Sequence, residues 1–146
     1  MSSEIISYDE IDQIIELNRK IVTHGNEPFG VNKNTIYDII NSVNTGRFFS
    51  ILNERERIIR RASIILARIT WEQPFKEGNR RTALYFTIQY LNKNKLDLLV
   101  GNYKIKNLIF NLQKRTIEKF ETDESITEDI FQFLNQNVID FKFTDF

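Results

Sequence analysis

The sequence has no cysteine and a single histidine, His24. Disulfides, thiol catalysis, cysteine-ligated zinc and a histidine-rich metal site are thereby excluded, and the lack of cysteine agrees with a reducing cytosol. Charge of one sign is missing too: twenty basic and twenty acidic residues cancel, leaving no overall field to draw the chain to nucleic acid or an anionic membrane. Any anion site must therefore be local. No apolar run approaches the ~18 residues that a membrane span requires, and the polar start MSSEIISYDE has neither the basic segment nor the apolar core of a signal peptide. A soluble, cytoplasmic protein without membrane or nucleic-acid partners is expected.

Two prolines and five glycines leave few breaks, and no repeat, linker or low-complexity tract interrupts the chain. At 146 residues, 41% hydrophobic and 27% charged, it suits a single globular domain over residues 1–146. Most of it reads as helix. YDEIDQIIELNRKIV places Ile11, Ile14, Ile15, Leu17, Ile21 and Val22 at helical spacing, with Ser7 and Glu10 in the form of a capping box. HGNEPFG, His24 to Gly30, is expected to be a turn or short hairpin. NTIYDIINSV then reads as a short helix capped by Asn34. Arg55 to Thr70 carries a broad stripe, Ile58, Ile59, Ala62, Ile65, Leu66 and Ile69, of the kind found on a central buried helix.

Further on, Ala83, Leu84, Ile88 and Leu91 continue a helical pattern up to NKNK, and LDLLVG suits a short extended connection. Lys104 to Phe120 is helical through Ile105, Leu108, Ile109, Leu112 and Ile117, and SITEDIFQFL starts a last helix with Ser125 and Glu128 as a second capping box. Five or six helices with short joins make an all-α domain.

The chemistry concentrates in WEQPFKEGNRRTALYF, Trp71 to Phe86, where an acidic and aromatic loop becomes a helix headed by two arginines. Pro74 fixes the loop backbone and Phe75 reads as an apolar pin pushed into the core. Glu77, beside a helix start, either caps the free amides there or holds a magnesium ion brought in by a nucleotide, and spacing favours the cap. Gly78 permits a turn that aims the amides of Gly78, Asn79 and Arg80 outward, with the positive end of the helix dipole behind them. Asn79 adds a side-chain amide, while Arg80 and Arg81 add two charges suited to forked contacts with phosphate. Two cations at a helix N-terminus oppose its dipole at about 0.3 to 1 kcal/mol each. An anionic ligand reverses that cost, whereas arginines that only coat a solvated face do not.

QPFKEGNRRTA resembles the signature of the Fic/Doc (Fido) superfamily, H-x-F-x-D/E-G-N-x-R. Phe75, Glu77, Gly78, Asn79 and Arg81 match, and Thr82 and Ala83 are as in the death-on-curing, or Doc, branch. HGNEPFGVNKNTIYDIINSV is similar to the flap and following helix of Doc proteins, so the resemblance spans roughly Ile5 to Leu134. It implies a compact Fido-type helical bundle with a short flap before the central helices. The implied activity uses ATP and Mg2+ to modify a Ser, Thr or Tyr hydroxyl of a target protein. Fic members transfer AMP; Doc members transfer phosphate, with a translation elongation factor as the known type of target, and are toxins paired with an antitoxin. Carried over by position, Glu77 is the magnesium ligand, Gly78 and Asn79 the anion cradle and Arg81 the phosphate clamp, with Arg80 at the variable position.

Two departures bear on the reaction. Leu84 stands where many Fic proteins have a further arginine, which favours phosphate over AMP transfer. Gln73 stands at the position of the histidine that takes the proton from the target hydroxyl; glutamine cannot act as a base, at a cost of about a hundredfold to ten-thousandfold in rate. His24, in the flap region, reads as a surface or turn histidine rather than a substitute base. The inhibitory pattern S/T-x-x-x-E-G/N finds no match, since Ser50 with Glu54 and Thr23 with Glu27 are followed by Arg55 and Pro28; inhibition is expected from a separate antitoxin chain. A non-catalytic nucleotide- or partner-binding protein is the alternative to an impaired transferase. DNA binding through NKNTIYDIINSV ranks lower because that stretch has little positive charge.

Overall fold

A computed structural model describes residues 4–46, 52–119 and 123–140, with only the backbone at 102, 112–119 and 123–125. The element order is α1 (Tyr8–His24), α2 (Lys33–Asn44), α3 (Glu54–Glu72), α4 (Asn79–Lys93), β1 (Leu96–Leu98), α5 (Asn102–Lys119), α6 (Asp123–Asn137) and β2 (Val138–Asp140). The expected all-α architecture is borne out, with one small addition. LDLLVG does not merely connect: β1 pairs antiparallel with β2, Leu98 opposite Val138 and Leu96 opposite Asp140.

Helix α3 is the axis, packed against α2, α4, α5 and α6. All six residues of its sequence stripe are buried, and burying each large aliphatic among them stabilises the fold by about 1.5–3 kcal/mol before the loss of chain entropy. Arg61 of α3 is buried as well, and donates to the Val43 carbonyl while its Nε lies 3.6 Å from Glu4. Glu4 also receives a two-pronged contact from Arg57, and its carbonyl accepts from the Tyr90 hydroxyl at 2.6 Å. Burial holds the Tyr90 hydroxyl above its ordinary pKa.

On α1, the capping box forms as expected, with Ser7 accepting from the Glu10 amide. Helix α2 begins two residues earlier than a cap at Asn34 implies, and its cap is Asn32: the Asn32 side chain accepts from the Thr35 amide at 3.2 Å. Helix α6 likewise starts at Asp123, which places Ser125 inside the helix rather than at its cap, and Glu128 pairs with Arg60 at 2.6 Å. The side chains of Leu112, Ile117 and Ser125, and residues Ser50 and Phe120, lie outside what is described. Helix α4 buries Thr82, Ala83, Phe86, Thr87, Tyr90 and Leu91, a repeat of about one helical turn. It runs antiparallel to α1, joined by Lys93 to Glu10 at one end and Thr82 to Asn18 at the other. The C-terminal end of α1 and the start of α4 therefore meet. Among the described residues no helix is long and apolar enough to cross a membrane.

Candidate functional site

The loop between α3 and α4 carries the sequence motif. Helix α3 stops at Gln73, whose backbone is left-handed (φ 50°, ψ 62°), and the chain turns into Pro74 and Phe75. Phe75 is 3% exposed and sits in the hydrophobic core, the pin that the sequence indicates. Gln73 is exposed and turned away from that core.

The stretch from His24 to Gly30 does not fold back on itself as a hairpin. It leaves α1 through a turn at Gly25 and Asn26 and then pairs with the motif loop: Val31 bridges Phe75, the Asn32 amide donates to the Pro74 carbonyl at 2.7 Å, and the Lys76 amide donates to the Gly30 carbonyl at 2.9 Å. Arg19 of α1 stacks over the Phe29 ring at 4.2 Å, fastening the same segment from the other side. Local turn signals identify the break correctly but not its partner, which lies more than forty residues onward. His24 ends α1 and is exposed, a turn histidine as expected.

Asn79 closes the loop. Its Oδ1 accepts from the Phe75 amide at 2.9 Å and its Nδ2 donates to the Phe75 carbonyl at 2.8 Å. The side chain expected to face an anion is thus engaged with the loop backbone, leaving one amide hydrogen and the main-chain N–H for a ligand.

Glu77 does not cap α4. The cap position belongs to Gly78, left-handed at φ 76°, and among the described residues no side-chain cap accepts from the first amides of the helix. Its carbonyl takes the Thr82 amide, the first bond of the helix. The amides of Asn79, Arg80 and Arg81 are therefore at an uncapped, electropositive helix end. A Cβ at 78 would lie 3.1 Å from Val22 Cγ1 and 3.2 Å from Asn18 Nδ2, so α1 presses close behind the turn.

The charged side chains ring this end. Glu77 is exposed, with no partner for its carboxylate among the described residues, and Arg80 is exposed beside it. Arg81 is not idle: its Nη2 lies 2.6 Å from the Glu27 carboxylate. Glu27 follows the turn after α1 and is the acid that the sequence pattern sets aside because Pro28 comes next. Arg81 is thus paired with an acid of this chain itself, one that the inhibitory pattern does not select. Two residues of the site, Asn18 and Glu27, have no signal in the motif; each reaches it because α1 and α4 are antiparallel.

The residues fit a nucleotide with magnesium. One free carboxylate beside uncapped amides and two guanidinium groups provides oxygen chemistry for a hard cation and donors for phosphate, and Mg2+ carried on phosphates needs only one or two protein carboxylates. Among the described residues no cluster of three or more acidic, histidine or cysteine side chains forms a protein-only metal site.

A family model described as the Fic/DOC family matches residues 8–91, from the first residue of α1 almost to the end of α4. No curated protein and no solved structure matches the chain.

Proposed function

The chain belongs to the Fic/DOC family, and from that membership we propose a Doc-type, ATP-dependent protein-modifying domain over residues 1–146 whose turnover is curtailed by Gln73. The observation that carries this reading is the uncapped start of α4, where free amides stand beside Arg80, Arg81 and Glu77. Gly78, Asn79, Arg80 and Arg81 bind the phosphate chain, and Glu77 supplies an oxygen to Mg2+, which when bound neutralises phosphate charge. Leu84, where a further arginine marks many Fic proteins, favours the terminal phosphate as the group transferred.

The reaction forms a bond from the target hydroxyl oxygen to the terminal phosphorus and breaks the bond from that phosphorus to the bridging oxygen, which leaves with ADP. The hydroxyl proton needs an acceptor. Gln73 can orient the hydroxyl by hydrogen bonding but cannot take its proton, so binding survives and chemistry slows by about a hundredfold to ten-thousandfold. The target is a cytoplasmic protein, a translation factor by analogy with the Doc branch, and a separate antitoxin chain is the natural partner.

The test compares the protein with a Gln73→His variant in a host lysate, using ATP labelled on the terminal or the innermost phosphate. Label on protein with the histidine form alone supports an enzyme scaffold, and the labelled position names the group moved. No transfer by either form argues against it. A second reading, a binding protein that never turns over, is favoured by one observation, the engagement of Arg81 by Glu27; transfer by the histidine variant would exclude it.

A further inference from the structure

Asn18 is a polar residue with no exposure, set among Ile14, Ile15 and Val22 on the buried face of α1. Its Nδ2 donates to the Glu77 carbonyl at 2.8 Å and to the Thr82 hydroxyl at 3.1 Å. The two acceptors lie on either side of Gly78, fifty-nine and sixty-four positions along the chain. Its Oδ1 is buried with no hydrogen-bond partner among the described residues. A side chain present only to fill space would be apolar, since an unsatisfied buried acceptor is unfavourable; the donor end is what this position uses.

The direction of that donation has a consequence one bond away. In a trans peptide the C=O and the following N–H point in opposite directions, and no cis peptide occurs among the described residues. With the Glu77 carbonyl drawn back toward α1, the Gly78 N–H is turned away from α1. Beneath the turn, Asn18 and Val22 also form the wall that leaves no room for a side chain at 78.

We infer that Asn18 is a positioning residue of the phosphate site: by holding the Glu77 carbonyl from behind, it aims the Gly78 amide at the bound phosphate. This rests on the reading of the α4 start as a phosphate site. Asn18 touches no ligand itself and acts through the 77–78 peptide. Thr82, the other acceptor, anchors Asn18 but does not set that peptide, so the two contacts are separable.

The experiment uses the full chain with 15N labelling and inorganic pyrophosphate plus Mg2+ as the probe. In the free protein, residual dipolar couplings report the orientation of the Gly78 N–H relative to the other amides of α4; titration then gives the affinity. Asn18→Ala is expected to swing the Gly78 N–H and to weaken pyrophosphate by roughly tenfold, whereas Thr82→Val, which loses a buried hydrogen bond without freeing the peptide, keeps both orientation and affinity. Asn18→Leu, close in size but without a donor, repeats the test should the alanine cavity prevent folding. An unchanged Gly78 orientation in the Asn18 variants, or equal weakening by Thr82→Val, overturns the inference. If the unmodified protein ignores pyrophosphate while the Gly78 N–H still swings in the variants, the phosphate-site reading fails and the hold of Asn18 on the peptide stands.

Discussion

The Arg81 guanidinium and the Glu27 carboxylate meet at 2.6 Å across fifty-four residues of sequence. Both side chains remain partly exposed, so the pair is weak enough for a stronger anion to replace. Glu27 is delivered by the turn after α1, where its amide donates to the Val22 carbonyl at 2.8 Å and Asn26 is left-handed.

Neutralising that acid should release the arginine. Glu27→Gln is expected to tighten MgATP by roughly two- to fivefold, the range for an exposed ion pair, with the gain shrinking at high salt. Arg81→Ala should weaken MgATP and abolish the effect of the Glu27 change. Calorimetric titration of the two single variants and the double variant measures this coupling, and additive effects would show that the two side chains do not compete.

Asn79→Ala removes both hydrogen bonds that tie the α4 start to Phe75. A loss of about 1–3 kcal/mol in urea unfolding is expected, together with weaker nucleotide binding, because the loop loses the closure that shapes it. Full stability with binding lost would mean that the side chain serves the ligand and not the loop.

Gly78→Ala meets two obstacles, a left-handed backbone costing roughly 1–2 kcal/mol for a residue with a Cβ and the wall formed by Val22 and Asn18. Gly101→Ala is the matched control: nothing among the described residues lies within 4 Å of its Cβ position, and a change within about 0.5 kcal/mol is expected. Thermal unfolding of the pair separates the demand of the turn from a general effect of replacing glycine.

Tyr90 sets an alkaline limit. Its pKa is raised in the folded state by burial, so the neutral form is favoured by folding. That contribution is fully present below the ordinary tyrosine value of about 10 and is lost as pH rises above it. Tyr90→Phe should cost about 1 kcal/mol at neutral pH, through the lost bond to the Glu4 carbonyl, yet show a shallower fall in stability above that pH. Parallel unfolding curves for the two proteins in alkali would refute the assignment.

What the sequence revealed and what it hid divide along one physical line. The capping box of Ser7 and Glu10, the α3 stripe and the Phe75 pin are legible because they depend on neighbours within a turn or on a strict helical period. Asn32 and Asn34 compete as caps within the same three residues, and only backbone geometry chooses. Spacing alone favours Glu77 as a cap over a magnesium ligand because acids suit helix starts, but the left-handed Gly78 occupies the cap and frees the carboxylate. Asn18 resembles any polar residue of an amphipathic helix, and Glu27 any surface acid, until α1 is laid antiparallel to α4. The three residues of β2 are too few to show an alternation.

Gln73 ends α3 in a left-handed conformation and points away from the core. Histidine is among the residues that tolerate such a backbone more readily than most, so the fold places little resistance in the way of an imidazole there. Glutamine and histidine codons differ only at the third base. On the proposed function, one transversion would therefore install a proton acceptor at this position without any repacking of the protein.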